Sequence, residues 1–321
     1  MTGCMIYKFV LHLEGMRIAI TGVAGYFGRK IMERLERNEE VEKVVGISRR
    51  KYDHSFSKLD YHRMDVRSDK LGELFAENEV DAVVHLAFVL NPIHNKKEMR
   101  SIDIEGAKNV LEASERAGVK KIIMTSSTTV YGTWPNSPVY TEESPVKPHP
   151  TYYYSRHKVE IEKVCNAFKE KNDNITLTIF RPCLVLGPTT EQFYAKLLNW
   201  PILPLVGGSN PEMQFIHEDD IGRAYEFFLM NDHEGVFNIV GEGTISWKEV
   251  VETAGKKAVK MPNSVLYPLL KALWGLHLVQ IPPEILDFVK YPWVASGEKA
   301  KKAGFVPQYS SKEALLSFLK K

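Results

Sequence analysis

The chain has 321 residues, a formal net charge of +2, 44% hydrophobic and 26% charged residues, the profile of an ordinary globular protein with one large domain or two smaller ones. No long basic stripe accompanies that charge, so nucleic acid is not an expected partner. Three cysteines, Cys4, Cys165 and Cys183, have no metal-ligand spacing, which predicts no metal and free thiols in a reducing, cytoplasmic compartment.

The opening stretch MTGCMIYKFVLHLEG is mildly apolar but interrupted by Lys8, His12 and Glu14, with no small-residue cleavage site after it. It does not read as a signal peptide. MRIAITG, from Met16, is a more natural domain start, so residues 1–15 are expected to be an extension. RIAI (17–20) reads as a buried strand, and residues 27–37 as a helix with Phe27, Ile31 and Leu35 on one face. KVVGI (43–47), the weaker LDYHRM (59–64) and DAVVHLAFV (81–89) are further strands. An amphipathic helix over 103–118 closes at Gly118, and KKIIMTSS (120–127) is the next strand. A helix carrying TYYYSRHKVE (151–160) then precedes the strand ITLTIFRP (175–182).

Apolar strands alternating with helices predict an α/β protein of the Rossmann type, a doubly wound parallel sheet covered on both faces. That domain is expected over 16–182. Beyond it the pattern is less regular and richer in proline. GVFNIV (235–240) looks like a strand returning to the sheet, within a segment of about 214–240. Residues 183–213 and 241–321 are then mainly a smaller lobe that binds a small-molecule substrate. No run of 18 apolar residues exists, so no membrane span is predicted. The nearest candidate, 264–282, is interrupted by Lys271, His277 and Gln280 and reads as a buried or half-buried helix. The active site is expected at the carboxyl ends of the strands, between the lobes.

ITGVAGYFG places Gly22, Gly25 and Gly28 between the first strand and the first helix. Glycine there allows a tight turn, close approach of backbone to a diphosphate, and close helix-on-strand packing. The helix N-terminus offers free N–H groups to the phosphates. Tyr26 and Phe27, between the last two glycines, are counted among the cofactor contacts. At the end of the second strand, where a carboxylate would receive the ribose hydroxyls of NAD, the chain has Ser48, Arg49 and Arg50 instead. That favours a 2′-phosphate and hence NADP(H), with NAD(H) as the alternative. Asp65, followed by Val66, stands just after the third strand, where its carboxylate could accept from the adenine amino group.

Three tyrosines have a lysine four residues on: Tyr26–Lys30, Tyr154–Lys158 and Tyr267–Lys271. That spacing puts phenol and ammonium on one helix face. Tyr26–Lys30 belongs to the glycine-loop helix, which explains it structurally.

The pieces TGVAGYFG, MDVR, VVHLAF, EGAKNVLEASERAGVKKIIMTSSTTVYG, YYYSRHKVE, FRPCLVLGP, QFIHEDDIGRA and FNIVGEGTISWKEV, in this order, resemble the extended short-chain dehydrogenase/reductase family, which includes the NAD-dependent epimerase/dehydratases. The resemblance implies a catalytic triad of Ser127, Tyr154 and Lys158. It places Ser126 nearer the cofactor, and Leu86 and Ala87 along it through their backbone. Pro182 to Leu184 are expected to pass close to the nicotinamide amide. Ser127 would hold the substrate oxygen while Tyr154 exchanges its proton. A phenol ordinarily titrates at about 10, so Lys158 and an oxidised nicotinamide are expected to lower it; about three units correspond to about 4 kcal/mol. Tyr152 and Tyr153 are expected to pack or wall the pocket, and His217, Asp219 and Asp220 to be structural. The resemblance also implies a homodimer, through the helices at about 95–117 and 152–171.

Four departures bear on the reaction. Asp103 stands where many members have asparagine. Met213 and Gln214 replace the Arg-Asp pair common in members that act on nucleotide sugars. Thr128 and Thr129 follow Ser127 where dehydratases commonly carry an Asp-Glu pair. The C-terminal lobe is apolar. The expected activity is an NAD(P)-dependent hydride transfer at a secondary alcohol or ketone carbon. The alternatives are a nucleotide-sugar epimerase that recycles its cofactor and a non-catalytic NADP-sensing binding protein.

Overall fold

The computed structural model describes residues 15–91, 93, 95–190, 197–198, 200–279 and 281–320. The predicted N-terminal extension, apart from Gly15, lies outside them, as do Cys4 and Gln280.

Seven parallel strands form one sheet: β1 (Met16–Thr21), β2 (Val41–Ser48), β3 (Leu59–Arg63), β4 (Ala82–His85), β5 (Lys121–Thr125), β6 (Thr176–Pro182) and β11 (Gly235–Ile239), in the order β11-β6-β5-β4-β1-β2-β3. The order reverses between β1 and β4, which opens the crevice where such sheets bind ligands. The late strand does return to the sheet, pairing with β6 from Gly235↔Thr178 onward.

One face of the sheet buries Ile18, Ile20, Val84 and Phe180 against α1 (Tyr26–Leu35) and α6 (Glu218–Met230), through Ile31, Leu35, Ile221 and Phe228. The other buries Ala19, Val45, Val83 and Ile122 against α2 (Leu71–Glu77), α4 (Gly106–Arg116) and α5 (Tyr153–Lys169). Two-sided burial is why these strands read as unbroken apolar runs. A third core gathers residues of β7 (Leu184–Leu186), β8 (Ile202–Val206), β9 (Glu212–Met213), β10 (Phe215–His217), α7 (Trp247–Thr253), α8 (Asn263–Gly275), α9 (Ile285–Phe288) and α11 (Ser311–Leu319). Three short pairs build that end: β10 with β7, β8 with β13 (Lys257–Met261), and β9 with β12 (Ile245–Ser246). The remaining short helices are α3 (Lys96–Arg100) and α10 (Glu298–Lys302).

Several expectations need correction. The strand expected over 81–89 ends at His85, because the apolar residues after it leave the sheet to wall a cavity. The helix expected over 103–118 begins as a π turn, Ser101–Glu105, that holds Asp103 fully buried. The helix expected to be buried or half-buried within 264–282 is α8, and it is the half-buried case: Leu266 and Leu270 are buried, while Val265 is 53% and Leu269 48% exposed. It is apolar on two adjacent faces, so periodicity did not say which one turns inward.

A buried ion pair ties α5 to β6. Arg181 donates to both oxygens of Glu162, at 2.9 and 2.6 Å, and both residues are buried. The Ser126 hydroxyl donates to the same carboxylate, and Arg181 also donates to the Tyr131 hydroxyl at 2.8 Å. No described helix is long and apolar enough to cross a membrane. Among the described residues no group of His, Cys, Asp and Glu gathers to hold a metal. Cys165 and Cys183 are buried free thiols.

Candidate active site

A cavity of about 1040 Å³ runs along the carboxyl ends of the strands. That is at the upper end of the ~300–1,000 Å³ typical of ligand pockets. Gly22, Gly25, Tyr26, Phe27, Gly28, Ser48, Arg49, Val66, Leu86, Ala87, Ser126, Ser127, Tyr154, Lys158, Pro182 and Leu184 all line it.

The glycine loop is built for close approach. Gly22 has φ +75, and a Cβ there would stand 2.7 Å from the Ala87 nitrogen. A Cβ on Gly28 would stand 2.2 Å from the Val23 carbonyl oxygen. No side chain caps α1 and its first turn holds no carboxylate, so the positive end of the helix dipole favours an anion there. These features fit a dinucleotide. Tyr26 is fixed on the loop by Glu218, which accepts from its hydroxyl at 2.5 Å and pairs with Lys30 at 2.9 Å. Glu218 also accepts from the Thr189 N–H and hydroxyl, at 3.1 and 3.0 Å, but Tyr26 lies 192 residues earlier, so no local pattern in the sequence marks it.

Arg29 and Arg50 join Ser48 and Arg49 along the same end of the cavity. Arg29 was missed because it follows the glycine motif rather than the second strand. Asp65 is not among the lining residues. Its carboxylate is held by Arg67, at 3.0 and 2.9 Å, and stands 3.6 Å from Arg49. An arginine two residues on competes for the oxygens that the adenine amino group would need.

At the centre of the cavity Ser127, Tyr154 and Lys158 converge from β5 and α5. Ser127 follows β5 directly and caps the 3₁₀ turn Thr128–Tyr131, accepting from the Thr129 N–H at 3.2 Å. Tyr154 stands in the first turn of α5, in hydrogen-bonding reach of Ser127. Lys158, one turn on, donates to the Thr125 carbonyl at 2.7 Å and lies 3.9 Å from the Phe88 ring centre. Ser126 lines the cavity too, but its hydroxyl is committed to Glu162. The other two tyrosine–lysine pairs have their phenols on carboxylates, Tyr26 on Glu218 and Tyr267 on Asp287.

The electrostatics differ from the expectation that Lys158 lowers Tyr154. Burial pushes the Tyr154 phenol up to about 12, with Asp103 adding to the rise and the Ser127 hydrogen bond opposing it. The Lys158 ammonium is turned toward Thr125, 5.7 Å from the centre of the tyrosine ring. Burial also lowers Lys158 itself, to about 8. Asp103 is wholly buried; it accepts from the Val89 N–H at 2.8 Å and lies 2.7 Å from His157 Nδ1. Its carboxylate is thus spent on the loop after β4 and on α5. His85, at the end of β4, is held neutral by burial, its pKa lowered to about 3.

The lowered Lys158 has a consequence for stability. Its folded pKa lies below its unfolded value, so the unfolded chain binds more protons between about 8 and 10.5. The cost of the buried ammonium is full below pH 8 and fades as pH rises through that window. Lys158→Met is therefore expected to stabilise the protein at pH 7 by about 1–3 kcal/mol while removing activity. Urea unfolding of both proteins at pH 7 and pH 10 checks this; a variant less stable at pH 7 would contradict it.

The far end of the cavity is walled by Tyr152, Leu186, Leu197, Leu198, Phe288 and Trp293, with further apolar side chains around them. No charged side chain among the described residues lines that end. Tyr152 packs on Phe288, with ring centres 5.5 Å apart. Tyr153 donates to the Leu90 carbonyl at 2.6 Å. Met213 lines the cavity, while Gln214 turns away and exchanges hydrogen bonds with the Ala295 backbone, both at 3.0 Å. His217 caps α6, accepting from the Asp219 N–H at 3.2 Å.

The chain is similar over most of its length to known proteins. An uncharacterized protein of Mycobacterium tuberculosis is 23% identical over 306 residues, which cover 92% of this chain and 81% of that one. Among solved structures, dTDP-glucose 4,6-dehydratase from Bacillus anthracis, in complex with NAD, superposes with a TM-score of 0.74 at 19% identity, covering 95% of this chain and 96% of that one. UDP-glucuronic acid 4-epimerase from Bacillus cereus, in complex with NAD, gives 0.73 at 22% identity, covering 95% and 98%. These two share the fold. The family model described as the NAD dependent epimerase/dehydratase family matches residues 18–240, a span that holds the glycine loop, the three converging side chains and the seven strands except the first two residues of β1. The chain belongs to the NAD-dependent epimerase/dehydratase family of enzymes.

Proposed function

We propose that this enzyme interconverts a secondary alcohol and its ketone, with NADP(H) as coenzyme and an uncharged, largely apolar substrate. The observation that carries the reading is the meeting of Ser127, Tyr154 and Lys158 inside one cavity that continues into the glycine loop. A bound nicotinamide supplies or accepts the hydride. Ser127 holds the carbonyl or carbinol oxygen. Tyr154 donates the proton to that oxygen in reduction and takes it back in oxidation. At about 12 the buried phenol is protonated at neutral pH, which suits it to the acid role. Lys158 adds positive charge beside the reacting oxygen and has an N–H left for a ribose hydroxyl. Residues 16–182 carry the coenzyme, and the lobe of 183–213 and 241–321 shapes the substrate end.

Ser48 and the three arginines at positions 29, 49 and 50 support the 2′-phosphate. Binding of NADP(H) is expected to be tighter than that of NAD(H), and Arg49→Ala to cut that preference by roughly tenfold or more, the loss of one charge-assisted contact. Calorimetric titration of both proteins with both coenzymes measures it. Equal affinities in the unmodified enzyme would overturn the coenzyme assignment and leave the triad untouched.

The apolar substrate is supported by the uncharged far wall and by Gln214, whose amide is spent on backbone. Following the absorbance of reduced coenzyme with a panel of bulky ketones tests this; the reading predicts net oxidation of the coenzyme. A second reading, nucleotide-sugar epimerisation, is favoured by the substrates bound to relatives of this fold, such as UDP-glucuronic acid. It predicts turnover of UDP-sugars with no net change in coenzyme. We propose further that the enzyme is a homodimer paired through α4 and α5, which light scattering would show.

A further inference from the structure

We propose that the C-terminal lobe docks on an anionic lipid surface through α8 and the neighbouring β8–β13 ribbon. A helix that is apolar all round belongs in a core or a bilayer, and α8 is apolar on two sides. Leu266 and Leu270 face inward, into the same core as Leu198, Ile285 and Phe288 at the cavity's apolar end. Val265, Leu269, Ala272 and Leu276 recur at helical spacing on a second, adjacent face, and all four are exposed. Leu276 and Leu278, just past the helix, are each 68% exposed. The ribbon that precedes α8 in the chain adds Ile202 and Val259, at 49% and 41%, and Trp200, two residues before β8, is 38% exposed. Ile202 stands opposite Lys257 in the strand pairing, which puts this apolar edge beside the cationic one. Clustered exposed apolar side chains along a helix mark an interaction site when they form a patch.

Charge selects the occupant. Residues 253–283 contain Lys256, Lys257, Lys260 and Lys271 and no aspartate or glutamate. Lys257, Lys260 and Lys271 are exposed, and Lys256 is half-buried. The carboxylates on elements packed nearby are engaged: Glu252 with Lys248, Glu249 with Lys312, and Asp287 with His149 and Tyr267. Glu284 is half-buried. A second copy of this chain would bring lysines against lysines. Anionic lipid headgroups match the lysines while the leucines enter the acyl boundary, the arrangement of an interfacial helix. The inference stands on this surface and does not depend on the proposed reaction.

The test is co-sedimentation of the full chain with vesicles of phosphatidylglycerol and phosphatidylcholine in equal parts, and with phosphatidylcholine alone. The enzyme is expected to pellet with the mixed vesicles and to lose binding as salt rises. Leu269→Glu/Leu276→Glu should remove binding. The triple variant Lys257→Gln/Lys260→Gln/Lys271→Gln should weaken it about fivefold for each lysine. The second variant leaves the apolar contacts intact, so it keeps the test decisive if the first is poorly folded, which thermal unfolding reports. Enzyme that stays in the supernatant with both vesicles overturns the proposal, as does undiminished binding by the lysine variant. A dimer that Leu269→Glu/Leu276→Glu splits into monomers, by light scattering, also overturns it, because the face would then belong to a second copy.

Discussion

Tyr154→Phe is expected to keep coenzyme affinity and lose turnover by roughly 10²–10⁴-fold, the usual worth of a positioned acid or base. The ring would still pack edge-on against Phe88, whose centre lies 5.1 Å away, so the cavity keeps its shape. Only the exchangeable proton and the hydrogen bond to Ser127 are lost. The direction of the pKa shift adds a signature that a structural role would not produce. Burial holds the phenol protonated, at about 12, so reduction should be level through neutral pH. Oxidation needs the proton gone, so its kcat/KM should climb with pH, up to tenfold per unit. The variant should lose that slope as well as the rate. Full turnover in the variant would remove Tyr154 from the chemistry.

Arg181→Met is expected to cost about 3–5 kcal/mol of stability, because it leaves the Glu162 carboxylate buried and unpaired. The methionine keeps most of the stem's volume, which isolates the charge from a packing defect. Glu162→Gln should cost a similar amount by stranding the guanidinium. The double variant Arg181→Met/Glu162→Leu should recover most of the loss, since two apolar groups leave no buried charge. The damage should also reach the site, because the Ser126 hydroxyl rests on Glu162 one residue before Ser127. Urea unfolding of the three variants measures the coupling. Single losses below about 1 kcal/mol would mean that the pair behaves as a surface salt bridge.

The sheet was legible because its strands are buried on both faces and therefore read as apolar runs. The same rule overshot at DAVVHLAFV, where Leu86 and Ala87 wall the cavity instead of extending β4. Hydrophobicity alone does not separate a core from a ligand's wall. Helix α2, seven residues long, carries too few turns to show a period and was not anticipated. At the site, the glycine loop and the tyrosine–lysine spacing were legible because they are local. What failed was direction. The spacing put Lys158 near Tyr154 but did not show that the ammonium turns to the Thr125 carbonyl. Asp65 was placed at the right strand end, yet Arg67 takes its oxygens. Glu218 clamps Tyr26 and Lys30 from far along the chain, and contacts of that separation leave no mark on a short stretch of sequence.

The most direct test of the account is the fate of a deuterium carried at C4 of reduced NADP when the enzyme is given bulky, uncharged ketones and, separately, UDP-glucose and UDP-glucuronic acid. The account predicts that a ketone is reduced, that coenzyme is consumed mole for mole, and that the label appears on the carbinol carbon. Inert ketones alongside a UDP-sugar that is epimerised with the coenzyme unchanged would contradict it.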